Sequence, residues 1–157
     1  MKKAIVTGGA GFIGSHISEL LVKKGYHVTV IDNFATGRLE NLIKIPKKKI
    51  EIVKADVADF KKIEKKFKNV KYVFHLAALA DIVPSIEEPE KYFKSNVNGT
   101  LNVLRASKKY KVRKLVYAAS ASCYGIVKNF PTSEKEKIST EYPYALTKNL
   151  GEKLLVH

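Results

Sequence analysis

Lys3-Ala4-Ile5-Val6-Thr7-Gly8-Gly9-Ala10-Gly11-Phe12-Ile13-Gly14-Ser15-His16-Ile17 decides the fold. An apolar run of strand length breaks at a cluster of glycines, and a helix-period pattern begins at once on the far side. A side chain in such a turn would block close approach of a pyrophosphate to the backbone. With glycine there, the first-turn amides and the helix dipole can hold the anion. Two registers fit, Gly9-x-Gly11-x-x-Gly14 and Gly8-x-x-Gly11-x-x-Gly14. Placed between a strand and a helix, either is a dinucleotide fingerprint, so Gly8, Gly11, Phe12, Ile13 and Gly14 are predicted to cradle a cofactor.

Outward from this turn, Ile13, Ile17, Leu20 and Leu21 recur at helical spacing and predict an apolar stripe, with Gly25 closing the helix. A second strand over 27–31 ends at Asp32, about 18 residues past Gly14, where dinucleotide folds place the acid that accepts from the adenosine ribose. A carboxylate there repels a 2′-phosphate, which favours NAD over NADP. The plainer alternative is a strand-end aspartate opening a turn before Asn33, and Arg38 close behind keeps the phosphorylated cofactor in play. Asp56 is a weaker candidate for an adenine contact, with an ordinary turn residue nearly as good a reading. Further strands are predicted over 3–7, 50–55, 72–76 and 114–119, alternating with helical segments. Phe60, Ile63 and Phe67 mark one helix, and Val97, Leu101 and Leu104 share a face of another. The pattern predicts an α/β fold, a Rossmann-like doubly wound parallel sheet, as one domain over 1–157.

The formal charge of +14 invites a nucleic-acid reading. Only Arg38, Arg105 and Arg113 of the 29 basic residues are arginine, whereas bidentate phosphate and base recognition favours arginine. The lysines fall in pairs such as Lys61-Lys62 and Lys65-Lys66, as on solvated helix faces, and Lys47-Lys48-Lys49 reads as an exposed loop. No nucleic-acid partner is expected. No run reaches the roughly 18 apolar residues of a membrane span, and Met1-Lys2-Lys3 leads directly into the first strand, so a cytoplasmic protein without membrane contact is expected. The one cysteine, Cys123, has no partner for an internal disulfide, and no Cys/His cluster has zinc-ligand spacing, so no metal is expected.

Tyr144 and Lys148 stand four residues apart on a predicted helix from Tyr144 to His157, and so project from one face. The row Leu146, Leu150 and Leu154 lies roughly opposite and is expected to pack inward. Tyrosine, with a pKa near ~10, is a poor base at neutral pH, but a cation one helical turn away favours the phenolate. Tyr-x-x-x-Lys alone is a weak pattern in a lysine-rich chain. Ser120, just past the fifth strand, adds a hydroxyl at the carboxyl end of the sheet, where open α/β sheets bind ligands.

With these motifs in order, the chain resembles the extended short-chain dehydrogenase/reductases, in particular the NAD-dependent epimerase/dehydratase family. Thr7 to Gly14, Asp32-Asn33-Phe34, Asp56-Val57, His75-Leu76-Ala77-Ala78, Asn96-Val97-Asn98-Gly99-Thr100, Ser120 to Gly125, and Tyr144 to Lys148 carry the likeness across the chain. It implies NAD as cofactor, with Asn33, Asp56 and Val57 beside it, Leu76, Ala77 and Ala78 lining its cleft, Asn96 supporting the site and Lys148 holding the nicotinamide ribose. The same likeness implies a nucleotide sugar, commonly UDP-linked, as substrate. Tyr144 would take a proton from a sugar hydroxyl, Ser120 would hydrogen-bond the reacting oxygen, and hydride would leave and return to the opposite face. Related dehydratases and decarboxylases carry an acid directly after Ser120; here Ala121, Ser122 and Cys123 follow, which favours epimerisation.

Family members continue into a smaller substrate domain. This chain stops on the Tyr144 helix, so the C-terminal substrate domain is expected to be absent, the sugar pocket incomplete and the last sheet edge adhesive. A homodimer is compatible with that expectation. The competing readings are an NAD-binding module without turnover and a related nucleotide-sugar dehydratase or reductase.

Overall fold

Five runs rich in Val, Ile and aromatic residues form one parallel sheet in the computed structural model, which describes residues 2–156. They are β1 (Lys2–Thr7), β2 (Tyr26–Asp32), β3 (Ile50–Lys54), β4 (Tyr72–His75) and β5 (Lys114–Tyr117), in the order β3-β2-β1-β4-β5. Every predicted strand is present, each end lying within two residues of its expected place. The chain winds outward from β1 to β3, then crosses to β4 and β5, so the direction of winding reverses beside β1. Thr7 is level with Ile31 and with His75, and Asp32 with Lys54, which brings the carboxyl ends of the strands together at that switch point.

Alternate residues face opposite sides of the sheet, as the two-residue strand period requires. Ala4, Val6, Val28 and Val30 face Leu21 of α1 (Phe12–Lys23) and Leu42 and Ile45 of the β2–β3 connection. Ile5, Ile31 and Val73 face Ile63 of α2 (Phe60–Ile63), Phe67 in the 3-10 turn that prolongs it, and Val103 and Ala106 from the β4–β5 crossover. Burying a side chain such as Phe67 contributes about 2–3 kcal/mol. Asp59 caps α2 by accepting from the Lys62 amide.

The β4–β5 crossover runs through α3 (Ile82–Glu87), α4 (Pro89–Tyr92), a π-helical segment (Phe93–Asn98) and α5 (Gly99–Lys109); α6 (Pro143–Val156) packs beside α5 and the π-helical segment. The expected helix reached His157, which lies outside the described residues. Lys47–Lys49 is an exposed single 3-10 turn. Among the described residues no helix is long and apolar enough to cross a membrane.

The expected helix faces need correction. In α1, Ile13 and Leu20 are exposed, Ile17 is half-buried, and the buried residues are Gly14, Ser15, Ser18 and Leu21. The helix starts so close to the glycine turn that its inner side must be small: a Cβ on Gly14 would lie 2.2 Å from the Gly8 carbonyl oxygen. In α5, Leu101 turns outward while Asn102, Val103, Ala106 and Ser107 are buried. In α6, Lys148 is only 3% exposed, so the face bearing the reactive lysine is buried, while Leu146 is 38% exposed and Leu150 and Leu154 are half-buried.

Candidate active site

Gly8 ends β1 in a left-handed conformation (φ 66°), where a Cβ would strike the backbone of Ala77 at 2.7 Å. Glycine is therefore the one residue that lets the β1 turn and the β4 turn touch. Gly11 sits at the N-cap of α1 with no side chain to cap it, so the first amides, Phe12 and Ile13 among them, remain for an outside acceptor. The side chains of Phe12 and Ile13 are exposed and do not line the cleft. Gly14 is buried and allows the helix to seat on the turn.

A solvent-open cleft of about 110 Å³ runs from this turn across the carboxyl ends of the strands. Its lining contains Gly8, Gly11, Asp32, Asn33, Asp56, Val57, Leu76, Ala77 and Ala78. Thr36, Leu79 and Ser95 also line it, and sequence reasoning missed them; no period or motif marks isolated loop residues of this kind. The Asp32 carboxylate is buried and already accepts from the amides of Ala10 (2.9 Å) and Phe34 (2.8 Å), so it ties the glycine turn to the loop after β2. Each oxygen keeps acceptor capacity toward the cleft. Asp56 accepts from the Ala58 amide at 2.8 Å and from Asn33 Nδ2 at 3.4 Å. Arg38 is exposed, and its amide donates to the Ala10 carbonyl.

Beneath the cleft, Asn96 accepts from the Leu79 amide at 2.8 Å and donates to the Leu79 carbonyl and to Thr147 Oγ1, each at 3.0 Å. It joins the cleft wall to α6 and is buried behind the lining. His75, fully buried, bridges Thr7 Oγ1 (2.6 Å) and Thr100 Oγ1 (2.9 Å), a pairing that sequence reasoning did not single out. Burial, with the charge of Lys148 nearby, lowers its pKa to about 3, so the imidazole is neutral.

Ser120 and Tyr144 meet just past the end of β5. Ser120 caps the following 3-10 turn by accepting from the Ser122 amide, which orients its hydroxyl. The Tyr144 hydroxyl donates to Ser120 Oγ at 3.3 Å. Lys148, one turn further along α6, stands over the Tyr117 ring, and burial lowers its pKa to about 8. The arrangement can pass a proton between Tyr144 and a bound hydroxyl that Ser120 also contacts, beside a buried cation. The donor set on the other side, open helix amides over glycines with a ribose-height carboxylate, fits a dinucleotide. Among the described residues no group of three or more His, Cys, Asp or Glu could hold a metal ion.

A doubly wound sheet with this turn and this Ser-Tyr-Lys set defines the dinucleotide-binding portion of an extended short-chain dehydrogenase/reductase. The chain belongs to the family described as GDP-mannose 4,6 dehydratase, whose pattern it matches over residues 5–157. It is 40% identical to a provisionally named UDP-glucose 4-epimerase of Methanocaldococcus jannaschii, over 96% of this chain and 49% of the relative. Among solved structures, a UDP-N-acetylglucosamine 4-epimerase from Methanobrevibacter ruminantium in complex with UDP-N-acetylmuramic acid superposes with TM-score 0.93 and 39% identity, over 99% of this chain and 49% of that one. The Thermus thermophilus UDP-glucose 4-epimerase in complex with NAD gives 0.89 and 39%, over 98% and 50%. The chain thus spans about half the length of the curated relatives it matches, or less.

Proposed function

We propose that this chain forms the NAD-binding and proton-transfer half of a nucleotide-sugar 4-epimerase acting on UDP-glucose or UDP-N-acetylglucosamine. The observation that carries the reading is the Tyr144–Ser120 hydrogen bond at the end of β5, with buried Lys148 one turn along α6, in a fold whose glycine turn leaves helix amides open beside Asp32. The relatives named above act on nucleotide sugars or hold NAD, which supports the same substrate and cofactor. Gly8, Gly11, Gly14 and the amides of Phe12 and Ile13 hold the pyrophosphate. Asp32, with Asn33, Asp56 and Val57, takes the adenosine end, and Leu76, Ala77 and Ala78 form the wall.

When bound, NAD supplies the hydride acceptor and donor for the sugar carbon. The protein's own residues handle the proton: Ser120 orients the sugar hydroxyl, and Tyr144 takes its proton and later returns it. Lys148 supplies the positive charge that favours Tyr144 as the phenolate, the form able to take that proton. Ala121 leaves no acid beside Ser120, which favours epimerisation over elimination. A cytoplasmic location, where NAD and nucleotide sugars coexist with reduced thiols such as Cys123, belongs to this reading. A homodimer does as well, with the outward leucines of α5 and α6 as its contact.

The test is to release bound nucleotide from the purified chain with acid, identify it, and then follow conversion of UDP-galactose to UDP-glucose. Stoichiometric NAD(H) and conversion lost in Tyr144→Phe are expected. No dinucleotide, bound or taken up on titration, would overturn the proposal. Conversion that persists in Tyr144→Phe would sink the proton-transfer half of it.

A further inference from the structure

We propose that Tyr117 is a positioning residue for Lys148, its ring face serving as the ammonium's counter-group in place of a carboxylate. This deepens the function proposed above, and the role of Lys148 in turnover rests on that reading; the contact itself does not.

Three contacts converge on one side chain. Lys148 Nζ stands 4.2 Å from the Tyr117 ring centroid, within the range where an ammonium is held by the negative face of an aromatic ring. The Tyr117 hydroxyl donates to the Lys148 carbonyl oxygen at 3.3 Å, so the same side chain grips both ends of the lysine. Gly151 makes room for it, since a Cβ there would lie 2.2 Å from the Tyr117 hydroxyl oxygen. A larger residue at 151 would push either the tyrosine or α6 out of place.

The need for such a contact follows from burial. Lys148 is 3% exposed, and among the described residues no carboxylate lies within ion-pair distance of it. The groups around it are Glu152 on its own helix, Cys123 in the turn after β5, and His75 at the end of β4. Glu152 favours the charged lysine and is the nearest of these to a counter-ion, yet it makes no direct pair. His75 stays neutral and lies against the Tyr117 ring, centroids 5.6 Å apart, so no second cation lies beneath the stack. Tyr117 itself stays protonated, because burial raises its pKa. A fixed carboxylate in this place would hold the ammonium away from the cleft. An aromatic face stabilises the charge and leaves all three N–H donors for other partners.

The test uses the chain labelled with 13C-lysine, the Lys148 ε-carbon signal being assigned by its loss in Lys148→Arg. In the unaltered protein, ring current from Tyr117 should move the Lys148 ε-protons upfield of the other lysines, and an ordinary shift would overturn the proposal. The lysine is then titrated with phenylalanine at position 117, and with mono-, di- and trifluorinated phenylalanine there, which weaken the ring's negative face at nearly constant volume. The midpoint should fall stepwise, by about one pH unit across the series. A midpoint that does not follow fluorination would reduce Tyr117 to a packing residue. NAD affinity is read on the same samples; its absence throughout would defeat the proposed function and leave the ring contact decided by the titration alone.

Discussion

His75 has a threonine hydroxyl at each ring nitrogen, and the bonds around it dictate where its one proton sits. Thr100 Oγ1 gives its hydrogen to the Asn96 carbonyl at 2.5 Å, so it accepts from Nε2–H; Nδ1 then accepts from Thr7 Oγ1, which itself accepts from the Ala77 amide at 3.3 Å. A second proton on the ring would have no acceptor there. Because the folded-state pKa is depressed to about 3, the unfolded chain binds more protons between about pH 6.5 and pH 3. The contribution of His75 to stability is full above that window and is lost as pH falls through it, by up to about 1.4 kcal/mol per pH unit. Urea denaturation across this range should show the slope, and His75→Phe should flatten it while costing about 1–3 kcal/mol at neutral pH for the two stranded hydroxyls. Asp32 is argued in the same way. Asp32→Asn can accept from only one of the Ala10 and Phe34 amides, so about 1–3 kcal/mol of stability should go. Without the negative charge, calorimetric affinities for NAD and NADP should draw together; an unchanged ratio would remove Asp32 from cofactor choice.

The helices show what the sequence could and could not disclose. The strands were legible because Val, Ile and aromatic residues cluster between turn formers, and so was the glycine turn, because its spacing serves close backbone approach. Helix orientation was not. Hydrophobic periodicity assigned Ile13, Leu20 and Leu146 to the inside, and these three are exposed, while Leu150 and Leu154 of the α6 row are half-buried. The buried sides of α1 and α6 instead mix small residues with single larger ones, Gly14 and Ser18 with Leu21 and Ala145, Thr147 and Gly151 with Lys148, because a Cβ on Gly14 would strike the Gly8 carbonyl and one on Gly151 the Tyr117 hydroxyl. The meeting of Ser120 with Tyr144 was legible, but the contact of Lys148 with Tyr117 and the His75 pair were not, since contacts between β4, β5 and α6 have no local spacing. A paired substitution tests this account of α1. Gly14→Ala should cost well over 2 kcal/mol or prevent folding, because its Cβ would press on the Gly8 carbonyl, whereas Leu20→Gln should stay within about 0.5 kcal/mol in thermal unfolding. Equal effects would restore the leucine side as the packed face.

Taken whole, the molecule combines a charge of +14 with apolar residues left outside on adjacent helices. These features push association in opposite directions. Leu101 of α5 and Leu146 of α6 are exposed, the two helices pack side by side, and β5 pairs with β4 alone among the described residues. An apolar face and a free strand edge both favour a second copy. Like charge on the two copies opposes contact and is screened as salt rises, with a Debye length near 10 Å at 0.1 M. Self-association should therefore strengthen with ionic strength, the reverse of binding to a nucleic acid, which weakens steeply as counterions compete. Sedimentation velocity between low and moderate salt separates the two. Leu101→Lys with Leu146→Lys should return the chain to monomer if the helix face carries the contact. Association that survives this pair but falls with Val116→Lys would move the interface to β5, and a monomer at every salt concentration would show that repulsion outweighs both surfaces.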